Sequence, residues 1–113
     1  MWESGVSSRP RGRGLKKRLF ITGLSGFVGQ HIQSRLALPD SPWELLSAAT
    51  PYDLTDAGSL VDLWPQVPDA VIHLAGQTFV PEAFRDPART LDINLIGTLN
   101  LLQALKARGF AGT

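Results

Sequence analysis

A chain of 113 residues with 11 Lys and Arg, 10 Asp and Glu, 2 His and no Cys makes at most one domain, and its 43% hydrophobic share argues against global disorder. The lack of cysteine excludes a disulfide scaffold, a thiolate metal site and a cysteine nucleophile; two isolated histidines argue against a histidine-built zinc site, so no metal is expected. The net charge of +1 divides into +5 over residues 1–18 and −4 over residues 19–113, so the body is mildly acidic and is not expected to bind nucleic acid.

Residues 1–15, MWESGVSSRPRGRGL, have neither helical nor strand periodicity and read as a solvated, disordered basic tail. A basic arm touching nucleic acid or anionic lipid is the alternative. Lys16-Lys17-Arg18 before LFITGLSGFVG has the outline of an export signal. Gln30-His31-Ile32-Gln33 follows where a small-residue cleavage site would be needed, so export is rejected. The uncharged stretch Ile93–Ala104 is too short to span a bilayer, and no membrane partner is expected.

From Lys16 the pattern alternates strand and helix. Arg18–Thr22 is a short apolar run, read as a buried strand. Residues 27–38 place Val28, Ile32, Leu36 and Leu38 on one helical face closed by Pro39. Trp43–Ala48 reads as a second strand and Tyr52–Leu54 as a very short third. Residues 56–64 read as a helix burying Leu60, Leu63 and Trp64. Ala70–Leu74 is the clearest strand, and residues 88–107 form a long helix with Leu91, Leu95, Leu99, Leu102 and Leu105 on one stripe, stopped at Gly109. Such alternation predicts an α/β fold, an incomplete Rossmann-type doubly wound parallel sheet over residues 16–113.

The segment Thr22-Gly23-Leu24-Ser25-Gly26-Phe27-Val28-Gly29 carries the most chemistry. Gly23 allows a tight turn off the strand, Gly26 lets backbone approach a pyrophosphate, and Gly29 lets the helix pack close to the sheet. The helix N-terminus then offers bare N–H groups to phosphate. The bland reading is a glycine-rich turn packing one helix on one strand. The second strand ends in Leu46-Ser47-Ala48-Ala49-Thr50, with no acid for the ribose hydroxyls, which favours NADP(H) over NAD(H).

Four ordered motifs carry a resemblance: Thr22-Gly-x-x-Gly-Phe-x-Gly29, Asp53-Leu54-Thr55-Asp56, Ala70-Val-Ile-His-Leu-Ala-Gly76, and Asp92-Ile-Asn94-x-x-Gly97-Thr98-Leu-Asn-Leu-Leu. Over residues 17–113 the chain resembles the extended short-chain dehydrogenase/reductases, the NAD-dependent epimerase/dehydratase family. The stretch Gly76–Pro87 is most similar to the branch acting on GDP-mannose derivatives. The resemblance implies a cytoplasmic oxidoreductase of nucleotide-sugar metabolism, reducing a GDP-4-keto-6-deoxy sugar with NADPH.

It also implies roles for residues. Gly23, Leu24, Ser25, Gly26, Phe27, Val28 and Gly29 would hold the pyrophosphate. Asp53 would bond the adenine amino group with Leu54 on the ring, against the alternative of Asp53 as a turn former. Leu74, Ala75, Gly76, Gln77 and Thr78 would line the nicotinamide ribose, and Val80 and Phe84 the sugar substrate. His73 is read as bracing its strand end rather than touching ligand. Asn94 and Gly97 would pack the long helix on the sheet, and Arg85 and Arg89 are surface cations or diphosphate contacts. The family's catalytic Tyr-x-x-x-Lys pair is missing: Tyr52 is the one tyrosine, and Asp56 stands four residues on. These residues therefore supply cofactor contacts and no catalytic group. Full-length relatives would form homodimers through the long helix. This chain is expected to self-associate, because the outer edge of the Ala70–Leu74 strand would be unpaired.

Overall fold

The computed structural model describes residues 16–76 and 80–113; Gln77, Thr78 and the basic tail lie outside them. The chain divides into two units, one of residues up to Ser47 with Pro68–Leu74 and Phe110–Thr113, the other of Ala48–Val67 with Ala75–Gly109.

The first unit is built on a parallel sheet of three strands, β1 (Lys17–Thr22), β2 (Trp43–Leu45) and β3 (Ala70–His73), in the order β2-β1-β3. Central β1 is paired on both edges, with Lys17 opposite Trp43 and Thr22 opposite His73. Its run Leu19–Thr22 is buried, as a parallel strand covered on both sides requires. β2 is shorter than its apolar run, although Leu46 N–H continues the ladder to the Leu19 carbonyl at 2.8 Å. Asp69 pins the entry to β3: its Oδ2 accepts from Arg18 N–H at 2.7 Å, and its own N–H donates to the Arg18 carbonyl at 2.9 Å.

Helix α1 spans Phe27–Leu36 and ends before Leu38, because a residue ahead of a proline disfavours the helical region. Ile32 and Leu36 are half-buried. Val28 and Leu38 are exposed, so the expected four-residue apolar face is half that size. Val28 stands in the first turn, past the carboxyl end of β1, where there is no sheet beneath it.

The outer edge of β3 is not wholly bare. Val71 N–H donates to the Thr113 carbonyl at 2.7 Å, and Gly112 lies so close to the Asp69 carbonyl that a Cβ there would collide with it. Residues 110–113 thus lie along the edge expected to be unpaired.

In the second unit, Tyr52–Leu54 is not a strand but irregular backbone entering a turn at Leu54–Thr55, and the expected 56–64 helix contracts to a 3-10 turn at Ala57–Leu60. Leu60, Leu63 and Trp64 are nevertheless buried. Helix α2 (Val80–Arg85) was not legible in the sequence pattern. Helix α3 (Pro87–Leu91) starts with Asp86 Oδ1 accepting from Arg89 N–H at 3.1 Å and proline in the first turn, an N-terminus set by chemistry that sequence displays. A π-helical segment, Asp92–Ile96, leads into α4, Gly97–Ala107. Gly109, at φ 76°, closes α4, as a glycine C-cap does.

The buried face of α4 is not the expected one. Gly97, Leu101 and Leu105 face inward, and α4 lies against the 3-10 turn. Of the expected stripe, Leu105 is buried, whereas Leu91, Leu95, Leu99 and Leu102 are exposed. Leu101 is 2% exposed and its neighbour Leu102 59%. In urea unfolding, L101A should lose about 2–5 kcal/mol, and L102A within about 0.5 kcal/mol.

Candidate functional site

In the first unit the site begins where β1 ends. Gly23 takes φ 76°, open to glycine at no steric cost, and its carbonyl accepts from Gly26 N–H at 3.0 Å to close the turn. Gly29 sits beneath that turn. A Cβ on it would strike the Gly23 carbonyl and come within 2.6 Å of the Leu24 carbonyl oxygen. The expected close packing of Gly29 is therefore real, but its partner is the turn's own backbone, not the sheet.

Gly26 is different. Its φ of −75° suits any residue, and a Cβ there would meet only the Gly23 carbonyl oxygen at 3.4 Å. Nothing inside the described protein demands glycine at this position. What its bareness leaves open is the outside of the turn, at the start of a ten-residue helix with no side-chain cap and no acid in its first turn. The N–H groups of Phe27, Val28 and Gly29 have no acceptor among the described residues. Three bare donors and the positive end of the α1 dipole converge there, which suits an anion. Gln30 stiffens the turn, its Nε2 donating to the Ser25 carbonyl at 3.0 Å and its N–H to Gly26 at 2.9 Å. Leu24 is half-buried, Ser25 is exposed, and the Phe27 ring is 79% exposed, edge-on to His31.

Thr22, 0% exposed, joins this turn to the exit of β3. Leu74 N–H donates to both the Thr22 carbonyl and its Oγ1, each at 3.1 Å. The Thr22 hydroxyl lies 2.6 Å from His73 Nδ1. The direction of that bond follows the ring tautomer of His73, and Leu74 N–H donates to the same oxygen. His73 is thus a strand-end brace. Sequence reasoning passed over Thr22; its one signal was a polar residue closing an otherwise apolar strand.

In the second unit Asp53 makes a tight turn. Its Oδ1 accepts from Thr55 N–H at 3.0 Å and Thr55 Oγ1 at 2.8 Å, and these bonds hold its pKa below the ordinary value. The turn-forming alternative is present. Among the described residues no hydrogen bond reaches Asp53 Oδ2; the carboxylate is exposed and feels the charge of Arg89. Ser59 Oγ accepts from Asp53 N–H at 3.0 Å. Leu54 packs against α4: a Cβ on Gly97 would meet the Leu54 Cβ at 3.2 Å, and Asn100 Nδ2 donates to the Leu54 carbonyl at 2.8 Å. Gly97 therefore seats the Leu54 loop. Asn94 likewise lies beside Gly76, with Oδ1 3.1 Å from where a Cβ would stand. Ala75 is half-buried, and Gly76 exposed. Val80 opens α2, one helical turn before Phe84, whose ring is 83% exposed. No helix among the described residues is long and apolar enough to cross a membrane.

Residues 19–112 match the model of the NAD dependent epimerase/dehydratase family. The chain belongs to that family. It is 71% identical over 99 residues to GDP-6-deoxy-D-mannose reductase of Pseudomonas aeruginosa, covering 88% of this chain and 33% of that protein. It is 41% identical over 58 residues to GDP-mannose 4,6-dehydratase of Vibrio cholerae, covering 50% of this chain and 16% of that one. Among solved structures, that of RMD from Pseudomonas aeruginosa complexed with NADPH superposes with a TM-score of 0.80 at 72% identity, covering 85% of this chain and 33% of that one. The Thermus thermophilus UDP-glucose 4-epimerase complex with NAD gives 0.65 at 28%, covering 81% and 34%. The chain thus spans about a third of these two structures, and the Rossmann-type reading of the sheet agrees with both.

Burial lowers the His73 pKa from its ordinary 6.5. The unfolded chain then takes up the proton first as pH falls. Stability should be full above about pH 6.5 and decline below it, until the folded state is protonated too. Thermal unfolding at about pH 7.5 and 5.5 should show this loss, and H73N should flatten it.

Proposed function

We propose that this chain is the dinucleotide-binding part of an NADPH-dependent nucleotide-sugar reductase acting on GDP-4-keto-6-deoxy-D-mannose to give GDP-D-rhamnose. The observation that carries the reading is the turn Gly23–Gly29, bare on its outer side and lined by the unpaired amides of Phe27, Val28 and Gly29. A pyrophosphate fits that chemistry, because it takes N–H donors and needs no lysine. Asp53, through its free Oδ2, would accept from the adenine amino group, with Leu54 beside the ring. Leu74, Ala75 and Gly76, followed by Gln77 and Thr78, would border the nicotinamide ribose, and Val80 and Phe84 the sugar.

When bound, the cofactor supplies the hydride. The residues here bind and orient it. NADPH is favoured over NADH by the acid-free stretch Leu46–Thr50 after β2 and by the 72% identity to the Pseudomonas structure complexed with NADPH. No Tyr-x-x-x-Lys pair occurs in the 113 residues, so they should bind cofactor without turning over substrate. That observation also favours a second reading, a non-catalytic dinucleotide-binding module or an inactive remnant of the enzyme. The cytoplasm is the compartment this function calls for.

Two glycine variants separate the proposal from a purely structural turn. G29A should lose about 1–3 kcal/mol of stability, since the methyl group has only backbone to displace. G26A should lose no more than about 1 kcal/mol, yet weaken NADPH binding by calorimetry roughly tenfold or more by filling the phosphate approach. Wild-type protein that is folded yet silent toward millimolar NADPH would sink the reading.

The exposed leucines 91, 95, 99 and 102 are the surface through which we expect copies to associate, as a patch of this kind is seldom left to water. Light scattering should find dimers or larger species, and L95K/L99K should shift them toward monomer. A monodisperse wild-type monomer would contradict this.

A further inference from the structure

We propose that Asn100 is a positioning residue for the adenine contact, holding the Asp53–Leu54 turn in place from α4. The inference rests on the dinucleotide reading above. Asparagine is a poor choice for a helix interior, because its amide competes for nearby backbone groups. Asn100 lies in the middle of α4 and does not bond locally. Its Nδ2 reaches a carbonyl 46 residues away in sequence, that of Leu54, at 2.8 Å. One turn earlier, Gly97 leaves the room this approach needs, since even a Cβ there would crowd the Leu54 Cβ at 3.2 Å.

The rest of the hydrogen bonding in the turn is internal. Thr55 caps Asp53 Oδ1, Asp56 N–H donates to the Asp53 carbonyl at 2.9 Å, and Ser59 Oγ bonds Asp53 N–H and the carbonyls of Asp53 and Asp56. These bonds fix the shape of the turn and occupy Asp53 Oδ1, leaving Oδ2 outside them. They do not fix where the turn sits on the helix. The Asn100 bond, with the Gly97 notch beside it, ties Leu54 itself to α4.

The test uses the full chain and the variants N100L and N100A, which replace a poor helix former by good ones, so a residue that merely filled the helix would yield equal or higher thermal stability and nothing else. Amide exchange by NMR without ligand should quicken at Asp53, Thr55 and Asp56 and stay unchanged at Phe20 and Ile21. NADPH affinity should fall about five-fold, the effect of one hydrogen bond. Affinity for reduced nicotinamide mononucleotide, which lacks the adenosine half, should not move. Unchanged exchange, unchanged NADPH affinity, or an equal loss for both ligands would overturn the assignment while leaving NADPH binding by wild type intact. Wild type that binds neither ligand would overturn the dinucleotide reading, and this role with it.

Discussion

The junction between β1 and α1 depends on how closely a helix can lie under a turn. Gly29 rests against the carbonyls of Gly23 and Leu24, closer than any side chain would allow. That contact sets where α1 starts and leaves the first-turn amides without an internal partner. Gly23, by taking φ 76°, lets the chain reverse off β1. The two glycines thus perform internal work, while nothing inside the described protein requires glycine at position 26.

Thr22 extends this constraint across the sheet. Its hydroxyl and carbonyl both take Leu74 N–H, and the hydroxyl also meets His73 Nδ1. The two strands therefore leave the sheet at linked heights, one into the Gly23–Gly26 turn and the other toward Ala75 and Gly76. A fully buried polar residue is tolerable there because its hydrogen-bonding capacity is used.

The second unit follows the same logic with a helix as its anchor. Irregular backbone from Ala48 to Val67 has few ladder partners of its own. Arg108 donates to the Trp64 carbonyl at 2.8 Å, and Asn100 to the Leu54 carbonyl, so two α4 side chains satisfy the loop's acceptors. Leu60, Leu63 and Trp64 supply the apolar anchor. Gly97, Leu101 and Leu105 of α4 face inward, and Leu91, Leu95, Leu99 and Leu102 face out.

Local chemistry was readable in advance. The strand expected at Arg18–Thr22, the glycine turn and the Gly109 stop all follow from residue types whose preferences act within a few positions. The parallel class of the sheet was readable too, from short apolar runs alternating with helices. What failed were features decided by distant neighbours. Tyr52–Leu54 had strand-like residues but became irregular backbone entering a turn, because Thr55 and Ser59 satisfy Asp53 locally. The leucine stripe was visible, but not which side of it is buried. Leu101 and Leu102 are identical letters, and a one-residue change of helical phase, invisible to periodicity, separates core from surface. Sequence alone determined the sheet, the turn and the family; tertiary structure decided the inward face of α4 and the partners of Thr22 and Asn100, because those contacts join residues about fifty positions apart.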